Sequence, residues 1–274
     1  MRDGASRKRS GSRSAKTREV RVIWRSALSF ASRNRLSILI LHRVLPKGDP
    51  LFPNEPVATE FDELLRHIKS TYNVLRLSDA IERLQAGSLP RRALSISFDD
   101  GYADNLSVAA PILRTHGLPA TLFITTGYLD GGSMWNDVVI EAFRGTKRSQ
   151  MDLTHIGLGI HPLASIDDRR VAIERVLGHI KYLPRQEREQ RAQDVLHAAG
   201  VTLPAGQMLS RDSVRELLDF GFEIGAHTVS HPILAKTPAN EAWHEIVESK
   251  RQLEEILGRT VQLFAYPNGK PHED

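Results

Sequence analysis

The sequence predicts an α/β fold built around a mainly parallel β-sheet. Short apolar runs alternate along the chain with amphipathic segments, and this repeated order is typical of parallel strands joined by crossover helices. The apolar runs are continuous, as expected when both faces of a sheet are covered. Hydrophobic residues make up 41% of the 274 residues and charged residues 26%, which is ordinary for a globular protein and excludes a disordered, collagen-like or coiled-coil chain.

The predicted strands are apolar runs bounded by charged, Gly or Pro residues. We count about six, fewer than the roughly eight strands of a closed parallel barrel. They cover residues 37–42, 74–77, 93–98, 120–125, 222–225 and 261–265.

The helices between these strands are predicted from apolar residues at helical spacing, together with capping and stop residues. Gly117, Gly221 and Gly258 are the predicted stops of three of them. The predicted helices run from the N-cap Thr59 through Ile68, from the N-cap Ser78 through Leu84, from Leu106 to His116, from the N-cap Ser210 through Phe220, and from Asn240 to Leu257.

Residues 130–205 interrupt this rhythm. Their composition is rich in Leu, Ala, Arg, Glu and Gln, which are good helix formers. We therefore predict a helical insertion in the main domain, with its principal helices at 167–183 and 185–199.

The positive charge of the chain is concentrated at its N-terminus. Residues 1–25 hold nine Lys and Arg against two acidic residues, whereas the other 249 residues hold 28 basic and 31 acidic ones. We interpret residues 1–25 as a disordered tail preceding a domain at 26–274; the alternative is electrostatic docking on nucleic acid or an anionic membrane. No aromatic residue precedes Trp24 in the tail, so no base-stacking platform is indicated and we expect no nucleic-acid partner.

Targeting signals are not recognised in the sequence. The basic start lacks the apolar stretch of a signal peptide, and no run approaches the roughly 18–20 apolar residues of a transmembrane helix. We therefore expect a cytoplasmic protein, with peripheral membrane contact through the tail as a further option. The sequence does not indicate an oligomeric state.

Two adjacent carboxylates, Asp99 and Asp100, follow the predicted strand 93–98. A strand end is where parallel α/β folds place their chemistry. Repulsion between two neighbouring carboxylates raises the pKa of one of them unless a cation lies between them. A metal bound to one carboxylate and a proton-abstracting role for the other would be compatible with these electrostatics. The alternative is a simple Asp-Asp-Gly turn through Gly101.

Two histidines, His227 and His231, follow the predicted strand 222–225. Residues four apart face the same way on one helical turn, a spacing that can chelate a metal, although such pairs also arise by chance. The chain contains no cysteine, which excludes Cys-ligated zinc, disulfides and Cys nucleophiles. Two His and one Asp would form a three-ligand site with room for water, as catalytic metals require.

A third segment, Phe264-Ala265-Tyr266-Pro267-Asn268-Gly269, is a predicted strand followed by a turn. Backbone N–H groups in such a turn could face a developing oxyanion, and alone it is only a turn.

Together, these segments resemble the polysaccharide deacetylase family, the NodB-homology domain of carbohydrate esterase family four. Phe98-Asp99-Asp100-Gly101 is similar to its T-F-D-D-G motif, and His227-Thr-Val-Ser-His231 to its H-[ST]-x-x-H motif. Leu41-His42-Arg43-Val44 resembles the Y-H-x-V strand of a bacterial branch. The resemblance covers about residues 37–274.

The resemblance implies a distorted (β/α) barrel and metal-dependent removal of N-acetyl groups from glycans. Asp100, His227 and His231 would bind the metal, usually Zn²⁺, and Asp99 would be the general base that takes a proton from the attacking water. The backbone N–H of Asn268 would assist the oxyanion, and His42 would lie near the site. We also place Tyr102, Trp135, Tyr266 and Pro267 at or near the substrate site.

The sequence departs from the family pattern in two places. Ala265 occupies a position where the family often has an Arg, a change that the F-A-Y-P branch tolerates. The family's late motifs, including an L-x-H strand whose His acts as general acid, normally lie some tens of residues past the third motif. Since this sequence stops at Asp274, we expect a barrel lacking its last strand or strands, with reduced stability and activity.

The segment Trp135-Asn136-Asp137 could line a sugar site, because an aromatic face stacks on pyranose rings; the alternative is a buried anchor for the insertion. Two further functions stay open beside the deacetylase. One is a non-sugar amidase on the same scaffold, and the other is a non-catalytic carbohydrate-binding or assembly protein.

Overall fold

The computed structural model describes residues 34–269. A parallel sheet forms the centre of the molecule, with strands β1 (Leu36–Leu41), β2 (Asn73–Val74), β3 (Ala93–Phe98), β4 (Thr121–Ile124) and β7 (Glu223–Ala226). Its order is β1-β3-β4-β7, and β2 also pairs with β3. This mixed α/β architecture confirms the predicted fold class, and within the described residues the sheet is open. The predicted basic tail at 1–25 lies outside these residues.

Helices flank the sheet in alternation with its strands: α1 (Ala58–Thr71), α2 (Leu77–Gln85), α3 (Ala110–His116), α7 (Arg211–Asp219) and α8 (Ala239–Leu257). The core packs β3 and β4 against α1 and α3, and Phe61, Phe98 and Leu122 are fully buried there. Ser210 caps α7 as predicted, since its Oγ accepts the amide of Ser213 at 3.1 Å. No helix among residues 34–269 is long and apolar enough to cross a membrane.

Three predicted boundaries near the start of the sheet and its helices are wrong. The N-cap of α1 is Val57 rather than Thr59, and the amide of Val57 donates to Glu60. The strand β2 is only two residues long, because the chain turns into α2 at Leu77. Glu223 accepts the amides of Leu77 and Ser78, so Ser78 lies inside the first turn instead of capping it.

The helix predicted over residues 106–116 is divided. Asn105–Ala109 forms a π-helical turn, and the regular helix α3 begins at Ala110. Pro111 follows directly and has no N–H to donate, which interrupts the regular hydrogen-bond ladder at this point.

The strand predicted at residues 261–265 is reduced to one bridge. Ala226 pairs with Phe264, through hydrogen bonds from Ala226 N to Leu263 O (2.9 Å) and from Ala265 N to Ala226 O (3.0 Å). The pairing ends there because the chain turns at Pro267, which has no N–H, and at Asn268, whose φ is +65°.

The segment between β4 and α7 holds three α-helices, α4 (Trp135–Gly145), α5 (Ile166–Ile180) and α6 (Arg185–Ala199). The last two match the predicted helices closely. An antiparallel hairpin of β5 (Gln150–Leu153) and β6 (Gly159–Pro162), which the sequence analysis did not predict, joins α4 to α5. These elements pack around a second apolar cluster that includes Phe143, Val176 and Val195.

Candidate metal centre and catalytic cavity

The carboxyl ends of the parallel strands position the chemistry. Asp99 and Asp100 follow β3, and His227 follows β7. Backbone hydrogen bonds extend the sheet pairing just beyond the strands: Asp99 N donates to Leu41 O (2.9 Å), Thr125 N to Asp100 O (3.1 Å) and His227 N to Ile124 O (3.0 Å). The two motifs therefore meet at one edge of the sheet, as expected for a parallel fold.

The loop from His227 to His231 is not the helical turn that the spacing predicted. Thr228 and His231 have φ values of +67° and +56°, a left-handed conformation that is unfavourable for a β-branched residue such as Thr228. The hydroxyl of Thr228 accepts the amide of His231 at 3.0 Å, so the chain folds back on itself. The two imidazoles come together through this turn, with ring centroids 5.0 Å apart.

Neighbouring elements support this loop. The carboxylate of Glu245, on α8, accepts the amides of Val229 (2.7 Å) and Ser230 (2.8 Å). From the other side, Gly127 N donates to Val229 O at 2.8 Å. A side chain at Gly127 would place its Cβ 2.6 Å from that oxygen, so only glycine permits this approach.

Asp100, His227 and His231 form a cluster whose potential ligand atoms all lie within 4.8 Å of one another. Asp100 Oδ1 is 3.3 Å from His231 Nε2 and 3.6 Å from His227 Nε2. The Nδ1–H of His227 donates to the carbonyl of Ala265 at 2.9 Å. A carbonyl oxygen can only accept, so a neutral His227 presents the lone pair of Nε2 toward Asp100.

The electrostatics of this cluster favour a cation. Asp100 is only 4% exposed, and its Oδ1 is buried without a hydrogen bond from the described residues. Burial, followed by the nearby charge of Asp137, raises the pKa of Asp100 to about 7. Burial also lowers the pKa of His227 to about 4 and that of His231 well below its usual value. Two neutral imidazoles and an unsatisfied carboxyl oxygen therefore fit a divalent metal ion.

Asp99 lies beside this cluster in a more accessible position. Burial raises its pKa to about 6, the charge of His42 acts in the opposite direction, and Asp100 raises it further. Asp99 is therefore mostly ionised at neutral pH and can accept a proton there.

A cavity of about 1190 Å³ brings most of the predicted site residues together. Trp135 does not line it: this residue is 9% exposed, packs in the second apolar cluster, and lies under the guanidinium of Arg188 at 5.2 Å. Pro267 is buried in its turn and does not line the cavity either. The predicted residues that do line the cavity are His42, Asp99, Asp100, Tyr102, His227, His231, Tyr266 and Asn268.

The turn of the third motif forms part of the cavity rim. Tyr266 is 65% exposed, and its ring meets that of Phe264 edge-on at 5.2 Å. Asn268 adopts a φ of +65°, and the following amide, of Gly269, donates to Pro267 O at 2.8 Å.

Asn136 and Asp137 line the cavity, in keeping with one of the two alternatives for the segment Trp135-Asn136-Asp137, whereas Trp135 follows the other and packs as a buried anchor. Sequence reasoning missed two other polar residues of this region. Glu245 was missed because nothing in the amphipathic pattern of α8 distinguishes it from a surface glutamate. Arg43, which pairs with the buried Asp104 at 2.7 Å, also lines the cavity.

The fold and the site define a class of α/β proteins with an Asp-His-His cluster at the carboxyl edge of a parallel sheet. The family model described as polysaccharide deacetylase matches residues 86–274, more than half of the chain. The chain therefore belongs to the polysaccharide deacetylase family.

Individual relatives are distant. YxkH of Bacillus subtilis (strain 168) is 19% identical over 242 residues, which cover 88% of this chain and 59% of YxkH. The chain thus spans less than two thirds of the length of this curated relative.

Two solved structures share the fold. The Streptococcus pyogenes deacetylase PplD, in complex with acetate, aligns with a TM-score of 0.54 at 19% identity, covering 87% of this chain and 76% of PplD. IcaB from Ammonifex degensii aligns with a TM-score of 0.51 at 19% identity, covering 86% of this chain and 76% of IcaB.

Proposed function

We propose that this protein is a metal-dependent hydrolase that removes N-acetyl groups from an N-acetylated sugar or polysaccharide. The observation that carries the proposal is the cluster of Asp100, His227 and His231 beside a second carboxyl, Asp99, in one large cavity. Membership of the polysaccharide deacetylase family supports the same reaction class.

The metal ligands in this proposal are Asp100 Oδ1 and the Nε2 atoms of His227 and His231. A set of two imidazoles and one carboxylate with a free position is typical of catalytic zinc, so Zn²⁺ is the proposed occupant. When bound, such an ion polarises the acetyl carbonyl and lowers the pKa of a water molecule at the site.

The remaining steps belong to side chains and backbone of the cavity. Asp99 takes a proton from the water that attacks the acetyl carbonyl, since its carboxyl is ionised above a pH of about 6. The backbone N–H of Asn268 donates to the oxygen that becomes negative. The exposed ring of Tyr266 at the rim offers a face for a sugar ring. As the C–N bond breaks, the departing nitrogen takes up the proton held by Asp99, which yields acetate and a sugar with a free amino group.

Acetate release from N-acetylglucosamine oligomers, with Zn²⁺ and with chelator, tests this proposal. We expect release that the chelator abolishes and that exceeds hydrolysis of acetamide or formamide under the same conditions. Faster turnover of the small amides would favour a non-sugar amidase instead. Oligomer binding without acetate release, even with excess Zn²⁺, would overturn the deacetylase in favour of a non-catalytic carbohydrate-binding protein.

A further inference from the structure

The first turn of α4 contributes polar side chains to the cavity that contains Asp99 and Asp100. Asn136 and Asp137 are consecutive residues of this turn, and both line the cavity. The mechanism above uses neither of them. An inference about their role rests on the proposed deacetylase function and adds a substrate-recognition site to it.

Asp137 is a buried carboxyl with few donors. It is 5% exposed, and both of its oxygens share one donor, the hydroxyl of Tyr102, at 3.2 and 3.1 Å. A carboxylate offers about four lone-pair positions, so most of its accepting capacity is left over.

Arg43 acts on this carboxyl through its charge but donates no hydrogen bond to it: burial raises the pKa of Asp137, and the charge of Arg43 lowers it. The guanidinium of Arg43 stacks over the ring of Tyr102 at 4.5 Å, and its Nε and Nη2 atoms bind Asp104 at 2.8 and 2.7 Å. The guanidinium of Arg144, another cavity residue, is likewise bound by Asp49 through two hydrogen bonds of 2.9 and 2.7 Å. The hydrogen bonds of both guanidinium groups to carboxylates therefore go to Asp104 and Asp49, and to Glu141 from Arg144, and none goes to Asp137.

Asn136 provides an independent observation beside Asp137. Its Oδ1 atom is buried and accepts no hydrogen bond from the residues that the structure describes. Buried acceptors are normally paired, so this oxygen at the cavity wall keeps its accepting capacity for a donor from outside the chain.

We propose that Asn136 and Asp137 form a subsite that accepts hydrogen bonds from hydroxyl groups of the sugar ring carrying the N-acetyl group. Two neighbouring acceptors with spare capacity require a ligand with several closely spaced donors. Vicinal sugar hydroxyls meet this requirement, whereas an anionic ligand would be repelled by Asp137. Tyr102 is a positioning residue here, because its hydroxyl holds the carboxylate of Asp137.

The test measures binding and turnover separately. Binding is measured in Zn²⁺-loaded Asp99→Asn protein, in which turnover is slow. N-acetylglucosamine oligomers are titrated by calorimetry into this protein, with and without the additional substitution Asp137→Asn. Turnover is measured in protein that keeps Asp99, again with and without Asp137→Asn, by comparing acetate release from the oligomers with hydrolysis of 4-nitrophenyl acetate, an ester that has no hydroxyl. Asp219→Asn, at the exposed end of α7, is the matched control.

We expect Asp137→Asn to weaken oligomer binding about tenfold through loss of charge-assisted acceptance. The ratio of kcat/KM for the oligomers to that for the ester should fall about tenfold, mainly through KM. Asn136→Ala should shift both quantities in the same direction, which provides a second route if Asp137→Asn fails to fold by circular dichroism.

Equal losses for oligomer and ester, or unchanged oligomer binding in both variants, would overturn the subsite. So would an absence of oligomer binding by the Asp99→Asn protein itself. If the oligomers bind and the variants weaken that binding, but no acetate is released by the unsubstituted protein, the subsite stands and the deacetylase proposal falls.

Discussion

Two buried carboxylates contact the histidine loop, and they differ in the hydrogen bonds that they receive. Glu245 is 6% exposed and receives hydrogen bonds from the amides of Val229 and Ser230 and from the Ser230 hydroxyl, at 2.5–2.8 Å. Asp100 is 4% exposed, and its Oδ1 receives none from the described residues. Burying an acceptor without a donor is costly. The difference is what a structural role for Glu245 and the proposed metal-binding role for Asp100 would require.

The two carboxylates depend on each other through the loop between them. Glu245 holds Val229 and Ser230, and this fixes the path from His227 to His231. The histidines then present their Nε2 atoms to Asp100. The hydrogen bonds of Glu245 thereby fix the loop in the conformation that places both histidines beside the unpaired oxygen of Asp100.

Asp100→Asn is the substitution with the largest expected effect. Loss of the charged ligand should reduce Zn²⁺-dependent acetate release by more than about 100-fold. In chelator the same change should stabilise the protein. The folded pKa of Asp100, about 7, lies above its unfolded value, so the stability it contributes at low pH is lost as the pH rises through 7.

Urea unfolding in chelator at pH 8 tests whether Asp100→Asn stabilises the metal-free protein. The free energy of unfolding of Asp100→Asn should exceed that of the unsubstituted protein by up to about 4 kcal/mol, and the gain should disappear near pH 4. If Asp100→Asn lowered the free energy of unfolding at pH 8 and still bound Zn²⁺, Asp100 would be a structural carboxylate like Glu245.

Asp99→Asn separates proton transfer from metal binding. Because Asp99 is outside the ligand cluster, the variant should keep one Zn²⁺ per chain. Its kcat for acetate release should fall about 10²- to 10⁴-fold, the usual contribution of a general base. Metal content by atomic emission and steady-state kinetics are the measurements. Loss of the metal together with activity would assign Asp99 to the ligands instead.

The pH dependence of Zn²⁺ affinity should follow the carboxyl more than the histidines. As the pH falls through about 7, Asp100 takes up a proton and competes with the cation, whereas His227 stays neutral down to a pH of about 4. The apparent Kd should therefore rise about tenfold per pH unit between 7 and 5.5. Competition titrations with a zinc-binding dye measure this slope, and a Kd that is constant over that interval would be inconsistent with it.

Glu245→Gln should have a smaller effect, acting through the loop. One acceptor oxygen becomes an NH₂ group facing hydrogen-bond donors, which should lower the free energy of unfolding by about 1–3 kcal/mol. Zn²⁺ affinity should fall about tenfold because the histidines lose their support. Glu255→Gln, an exposed position on the same helix, is the control and should change stability by less than about 0.5 kcal/mol. Equal effects of both substitutions would remove the structural role of Glu245.

Local patterns in the sequence predicted the sheet and most of its helices, because buried strands are continuous apolar runs and helix ends carry recognisable residues. They also identified Asp99, Asp100, His227 and His231 as neighbours. The shape of the histidine loop could not be predicted, since it depends on left-handed conformations at Thr228 and His231 that distant contacts stabilise.

Residues positioned by packing between separate elements were equally inaccessible to sequence reasoning. Glu245 reaches the loop only because α8 docks beside it. For the segment Trp135-Asn136-Asp137 the sequence left a sugar site and a buried anchor open, and the orientation of α4 decides between them residue by residue: Asp137 lines the cavity, and Trp135 packs in the second apolar cluster. The hairpin of β5 and β6 has short, weakly patterned strands that sequence periodicity does not distinguish from a loop.

We propose that Asp100, His227 and His231 form one metal centre that serves the chemistry at Asp99. The most direct test is a titration of chelator-stripped protein with Zn²⁺, in which acetate release from N-acetylglucosamine oligomers is measured at each addition. We expect activity to rise linearly to one equivalent of Zn²⁺ per chain and then to stay constant, and we expect no such rise for Asp100→Asn. Full activity in the stripped protein, or an identical titration in Asp100→Asn, would contradict this proposal.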